Sequence, residues 1–234
     1  MNPISSLMPL RKEVTLNYNF RSGAVNVNST SFIQDTQYLN SCYDPNGTGN
    51  NLGNKAPLNF KQLCNATYYT QYEVTDFSIG YKYTLISDPT VDVTYAQQVF
   101  TLGTGNSYPP GINYALPIEV YDTPLFTNVG SEGTNFDTRA ELIITPGCKR
   151  HDLLKRGDKA IIKRSGNVKK CLKKFQHGYS DDYLQALYNA NPATLLMHRV
   201  QVHNQNTITA WVMCEVDISV KVVLFNLAIA NHLE

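Results

Sequence analysis

The chain has 234 residues, 42% of them hydrophobic, and 20 Lys and Arg against 19 Asp and Glu give a formal charge of +1. That length supports one large domain with a core that needs no staples, and a composition rich in Tyr, Asn and Thr favours strands and turns over helices. Five scattered cysteines, Cys42, Cys64, Cys148, Cys171 and Cys214, without CxxC pairing, argue against both a disulfide framework and a zinc ribbon.

The opening "MNPISSLMPLRKEV" has no basic region followed by an apolar run, and no window approaches 18 apolar residues. Neither a signal peptide nor a membrane span is expected, so the chain reads as soluble and made in a reducing compartment. In "EVTLNYNF", Val14, Leu16, Tyr18 and Phe20 alternate with polar residues, the period of a half-buried strand. "DPNGTGNNLGN", Asp44 to Asn54, then supplies the Pro, Gly and Asn of tight turns. "YTQYEVTDFSIGYKYTLI" predicts a strand whose face of Phe77, Ile79, Tyr81, Tyr83 and Leu85 lies in the core. "VDVTYAQQVFTL", "YALPIEVYD" and "TRAELIIT" are shorter strand candidates set off by Gly and Pro.

The net charge conceals a separation. Between Lys149 and Lys174 stand 11 basic residues, Lys149, Arg150, Lys155, Arg156, Lys159, Lys163, Arg164, Lys169, Lys170, Lys173 and Lys174, against Asp152 and Asp158, for +9; the remainder carries 9 basic and 17 acidic residues, for −8. Such a segment concentrates polyanions, and each phosphate it neutralises releases counterions. Taken as a strand, "VKKCLKKF" places Lys170 and Lys174 on one face and Lys169 and Lys173 on the other, which makes it an edge or a strand against solvent, lumen or another subunit. Phosphate contact, pairing with acids of a neighbouring subunit and protection of an edge are all open on these residues.

"SDDYLQALYNAN", Ser180 to Asn191, predicts the one helix, with Ser180 as cap, Asp181 and Asp182 in the first turn and Pro192 as stop. In "AWVMCEVDISVKVVLF", Val212, Cys214, Val216, Ile218, Val220, Val222 and Leu224 alternate strictly with a mostly polar face, predicting a long final strand over 210–225. About eight strands, one short helix and long loops describe a single all-β domain, a β-sandwich spanning 1–234.

Three segments carry a resemblance. "APLNFKQLCNATYYTQYEVTDFSIGYKY" presents Pro57, Phe60, Gln62, Tyr69, Tyr72 and Val74; "PGCKRHDLLKRGDKAIIKRSGNVKKCLKKF" is a basic stretch beginning at Pro-Gly; and the final strand follows "LLMHRVQV". In order and texture these resemble the capsid proteins of circular, replication-protein-encoding single-stranded DNA viruses, the circovirus-like group. The resemblance implies a single jelly roll of eight antiparallel strands in two sheets, self-assembly into an icosahedral T=1 shell of sixty copies, and encapsidation of single-stranded DNA by the eleven basic residues. It implies a virion protein, assembled in the host nucleus or cytoplasm, with a host-cell glycan or receptor as a partner if the basic segment faces outward and with no membrane insertion. That group usually begins with an arginine-rich arm, whereas residues 1–21 here offer Arg11, Lys12 and Arg21. Either the arm is not part of this sequence or packaging uses folded basic surface.

Other motifs carry less. "LGTGNS", Leu102 to Ser107, lacks the Lys and helix of a phosphate loop, and Cys148, His151, Cys171 and His177 lack the second close pair of a metal site. Asn28, Asn46 and Asn65 open Asn-x-Ser/Thr triplets that a chain rich in Asn and Thr meets by chance. Tyrosines and phenylalanines suit packing and interfaces better than stacking on bases. No catalytic group, metal or cofactor is expected, and the alternative to a coat protein is a lectin-like or polyanion-binding β-sandwich module that forms no shell.

Overall fold

The computed structural model describes residues 9–30, 32–47, 58–87, 116–128, 138–175, 184–206 and 209–228. Ten strands among them form two antiparallel sheets. The first holds β1 (Lys12–Val27), β10 (Ala210–Leu227), β3 (Tyr69–Leu85) and β7 (Lys159–Asn167) in that order, with β8 (Gln185–Leu187) also on β3. The second holds β2 (Ile33–Tyr38), β9 (Leu196–Asn204), β4 (Ile118–Asp122) and β6 (Lys149–Leu153), with the short β5 (Phe126–Thr127) on β9. The eight principal strands pair as a nest, β1 with β10, β2 with β9, β3 with β7 and β4 with β6. That nesting is the jelly roll expected from the sequence.

Alternation explains which face each strand buries. Val212, Cys214, Val216, Ile218, Val220 and Val222 of β10 are buried, while Trp211, Asp217 and Lys221 are exposed. On β3 the buried set is Phe77, Ile79, Tyr81, Tyr83 and Leu85, but before them it is Tyr72 and Val74. The phase changes at a bulge, because Lys221 pairs with Asp76 and Val222 with Val74, leaving Thr75 unmatched. These side chains meet Ile33, Ile118, Val120, Val200 and Val202 of the second sheet in one core.

A polar seam crosses that core. Tyr83 donates to Asp35 at 2.6 Å, and His198 stands between the Tyr81 hydroxyl at 3.0 Å and Asp122 at 2.9 Å. Burial pushes the Asp35 carboxyl up, against the Tyr83 hydrogen bond that lowers it.

Three expectations are corrected. Ser180 to Asn191 is not a helix where it is described: Gln185–Leu187 pairs with Gln71–Glu73 on the edge of β3 just past the end of β7, and Ala186 is buried there while Gln185 and Leu187 are exposed. An open ladder outweighs a cap signal; Ser180, Asp181 and Asp182 lie outside the described residues. "TRAELIIT" is the helix α2 (Arg139–Ile144; α1 is Leu58–Leu63), because Thr138 and Glu141 form a reciprocal capping box. "VKKCLKKF" opens as the helix α3 (Val168–Leu172), because Asn167 caps it and the buried Val168 and Leu172 fall one turn apart. "VDVTYAQQVFTL" and "LGTGNS" lie outside the described residues, whereas Ile118–Asp122 of "YALPIEVYD" is a strand. No described helix is long and apolar enough to cross a membrane.

Gly47 closes the turn after β2 at φ 66°, where an added Cβ would stand 2.8 Å from a Tyr38 ring carbon and 3.0 Å from the Thr36 carbonyl oxygen. Gly47→Ala should therefore cost about 1–3 kcal/mol in urea unfolding. Gly80→Ala, whose Cβ would meet nothing within 4 Å, should cause no loss.

Candidate nucleic-acid interface

The basic segment forms β6, the turn after it, β7 and α3, so it runs along the side of the sandwich where both sheets end. The turn is built tightly. Asp158 accepts from the backbone N–H of Leu154 at 2.9 Å and Lys155 at 3.1 Å, and these bonds hold its carboxyl below the usual range. Gly157 adopts φ 92° and donates to the Leu85 carbonyl at 2.7 Å, while Leu85 donates to Asp158 at 3.0 Å. Lys155 and Arg156 are thereby exposed beside the end of β3.

Along β7 the faces divide. Ala160 and Ile162 are buried toward the second sheet, and Arg164 shares their face, meeting Asp122 at 2.8 Å. Lys159 and Lys163 project from the opposite, outer face of the first sheet, in register with Thr84 and Gly80 of β3. Beside the bare Gly80 lies a shallow depression of about 480 Å³, its lining mixed: Tyr18, Ile79 and Ile218 with Asn17, Lys163 and Asp217 among others. Nearby, Glu215 is held by Lys82 at 2.5 Å and Arg21 at 3.3 Å, and these partners keep its carboxyl low. In α3, Asn167 accepts from the Lys170 N–H at 3.1 Å, Lys169 meets Glu73 at 3.2 Å, and Lys170, Lys173 and Lys174 are exposed.

On the outer face of the second sheet, Arg150 is tied to Asp152 at 2.8 Å and to Glu119 at 3.1 Å. Glu119 is 1% exposed and also accepts from Arg139, Tyr121 and Gln205. Burial works to raise its carboxyl, but the Arg139 and Tyr121 hydrogen bonds and the Arg139 and Arg150 charges outweigh it and hold it below its ordinary value. Asp122 is likewise held low against burial, by His198 and Arg164.

The structure thus divides the eleven predicted residues. Arg150, Arg164 and Lys169 are engaged by acids of their own chain. Lys149, Lys155, Arg156, Lys159, Lys163, Lys170, Lys173 and Lys174 are exposed. They wrap the side of the sandwich, with one cluster at the turn and another at α3, separated by the length of β7, about 26 Å. Sequence reasoning missed Arg21 and Lys82, which reach the same outer face from β1 and β3. It also missed Trp211, whose position in the polar phase of β10 was the available signal.

No family model matches the sequence, and no curated protein matches it. Solved structures to which the chain is similar include a decameric BFDV capsid protein, at 12% identity and TM-score 0.37, covering 92% of this chain and 99% of that one. Others are the Macrobrachium rosenbergii nodavirus, at 8% identity and TM-score 0.41 over 94% of this chain and 59% of that one, and Cucumber necrosis virus, at 13% identity and TM-score 0.35 over 92% and 57%. The chain spans little more than half the length of the latter two.

Because Glu119 and Asp122 sit low in the folded protein, the stability they contribute is present above the unfolded carboxylate range, about pH 4, and is lost as pH falls below it through their folded values. Asp35 is raised and has the opposite sign, its contribution being lost as pH rises through its folded value. In urea unfolding across pH, Glu119→Gln should cost about 2 kcal/mol at pH 7 and flatten the acid limb. Asp35→Asn, which keeps an oxygen for the Tyr83 hydroxyl, should remove that loss on the rising side.

Proposed function

We propose that this chain is a viral coat protein whose copies close into an icosahedral T=1 shell around single-stranded DNA, as in the circovirus-like group. The observation that carries the reading is the placement of the +9 segment on the paired edge strands of a jelly roll, with eight of its cations exposed. Sixty copies would bring about 480 exposed positive charges to one shell, enough to neutralise much of a short genome's backbone. Acids outside the segment that stay exposed, Glu13 and Asp217 among them, offer neighbouring subunits a complementary surface. Lys and Arg on phosphate read no sequence, so packaging by this belt is indifferent to base order. Were the belt on the outside of the shell, the same lysines would suit sulfated glycans of a host cell. The protein's place is the virion, with assembly in the host nucleus or cytoplasm.

Light scattering and negative-stain microscopy of the purified protein should show uniform particles tens of nanometres across; small species alone, at high concentration over several salts and pH values, would contradict the proposal. Replacing Lys159, Lys163, Lys170 and Lys173 with Gln should cut co-purified nucleic acid and reduce the slope of log K against log salt for single strands by about 3. Intact particles with unchanged nucleic acid would remove the belt from packaging, and lost assembly with unchanged nucleic acid binding would assign it to contacts between subunits.

A further inference from the structure

Trp211 breaks the pattern of its strand. It stands in the outward phase of β10 with Glu215 and Asp217, and it is 44% exposed although its neighbour Val212 is fully buried. It is also the chain's single tryptophan. Its backbone is fixed on both sides, accepting from Ile86 N–H at 2.9 Å and donating to the Ser87 hydroxyl at 2.8 Å, so an exposed aromatic is held on rigid framework.

Beyond its ladder partner Asn26 and the next outward residue Met213, cations lie two strands across the sheet. One residue along β3, Leu85 accepts from Gly157, which sets the turn bearing Lys155 and Arg156 on the other side of that strand. Met213, the next outward residue of β10, shares a row across the sheet with Thr84 and Lys159. The Trp211 backbone and that of the turn at Gly157 are thus two strand spacings apart, about 10 Å, and Lys159 projects from the same face of the first sheet as Trp211. A lysine side chain and one nucleotide repeat bridge that distance. Of the carboxylates on this face, Glu215 is held between Lys82 and Arg21, and Asp217 accepts from Asn19.

We infer that Trp211 is a base-stacking residue of the nucleic-acid interface: an unpaired base lies on its ring while the flanking phosphates sit on Lys155, Arg156 and Lys159. The inference rests on the packaging reading above and adds what that reading lacks, a reason for preferring single strands. Lysines neutralise duplex and single strand alike, whereas a ring takes only a base that is not already stacked and paired.

The single tryptophan reports on itself. Titrating the full-length protein at fixed low salt with a 20-nucleotide oligothymidylate should quench its fluorescence by about half or more. A blunt duplex and inorganic polyphosphate, shown by competition against a fluorescently labelled oligonucleotide to bind, should leave it nearly unchanged. Trp211→Ala should weaken oligothymidylate binding about tenfold while changing duplex binding less than twofold, and Trp211→Phe, which keeps a ring, should recover most of the loss. Oligothymidylate that binds without quenching, or an alanine variant of unchanged affinity, overturns the stacking role and leaves the basic belt standing. Absence of binding to every polyanion overturns the belt and the stacking role together. A ring that responds to particle assembly but not to oligonucleotide assigns Trp211 to a subunit contact and overturns the inference.

Discussion

The pairing of β10 between β1 and β3 is the constraint on which the fold depends. β10, the last strand among the described residues, lies at the centre of the first sheet, in register with β1 from Lys12–Leu224 to Val27–Ala210 and with β3 from Tyr69–Leu227 to Leu85–Val212. β1 and β3 do not touch each other in the ladder; β10 joins them. Its inward valines and Ile218 supply the middle of the core, and its outward residues supply the acids and the tryptophan that give the sheet's outer face its chemistry. Because the first sheet forms only when β10 reaches β1, across about 200 residues of sequence, folding is governed by non-local contacts and belongs to the slow class of β topologies.

The same nesting sets the electrostatics. β6 and β7 are the last strands of their sheets, and the chain passes directly from one to the other, so consecutive basic residues line one side of the sandwich. Acids of the neighbouring strands take up the cations that turn inward or lie over the second sheet: Asp122 holds Arg164, and Glu119 holds Arg150 and Arg139. Those pairs fasten the edge strands to the body. Lys159 and Lys163 of β7, the turn before it and Lys170 in α3 stay exposed on that side, which is how a chain of formal charge +1 presents a one-sided basic surface.

Legibility in the sequence followed the length of the pattern. β3 and β10 run 17 and 18 residues, and over such lengths alternation leaves no competing reading, whereas of the 16-residue β1 only 13–20 was read. The short pieces misled. Thr138 and Glu141 spelled a capping box inside a stretch that its Leu and Ile made look extended, and Val168 and Leu172 satisfy a strand's period of two and a helix's spacing of four equally well. At 185–187 the helical signal lost to the open edge of β3, a partner that local sequence does not contain. For the interface, the eleven cations were visible from composition, but that acids engage Arg150, Arg164 and Lys169 depends on register across strands far apart in sequence. Trp211 could have been found by asking why an aromatic falls on the polar side of the clearest strand in the chain.

Electron cryomicroscopy of the assembled particle tests the central claim most directly, because it fixes at once whether a closed shell forms and which way the first sheet faces. The expected map is an icosahedral shell with the outer face of β7 and Trp211 turned to the lumen and nucleic-acid density against Lys159 and Lys163. A closed shell with that face on the exterior and no density beside it, or no closed shell at all, would contradict the account.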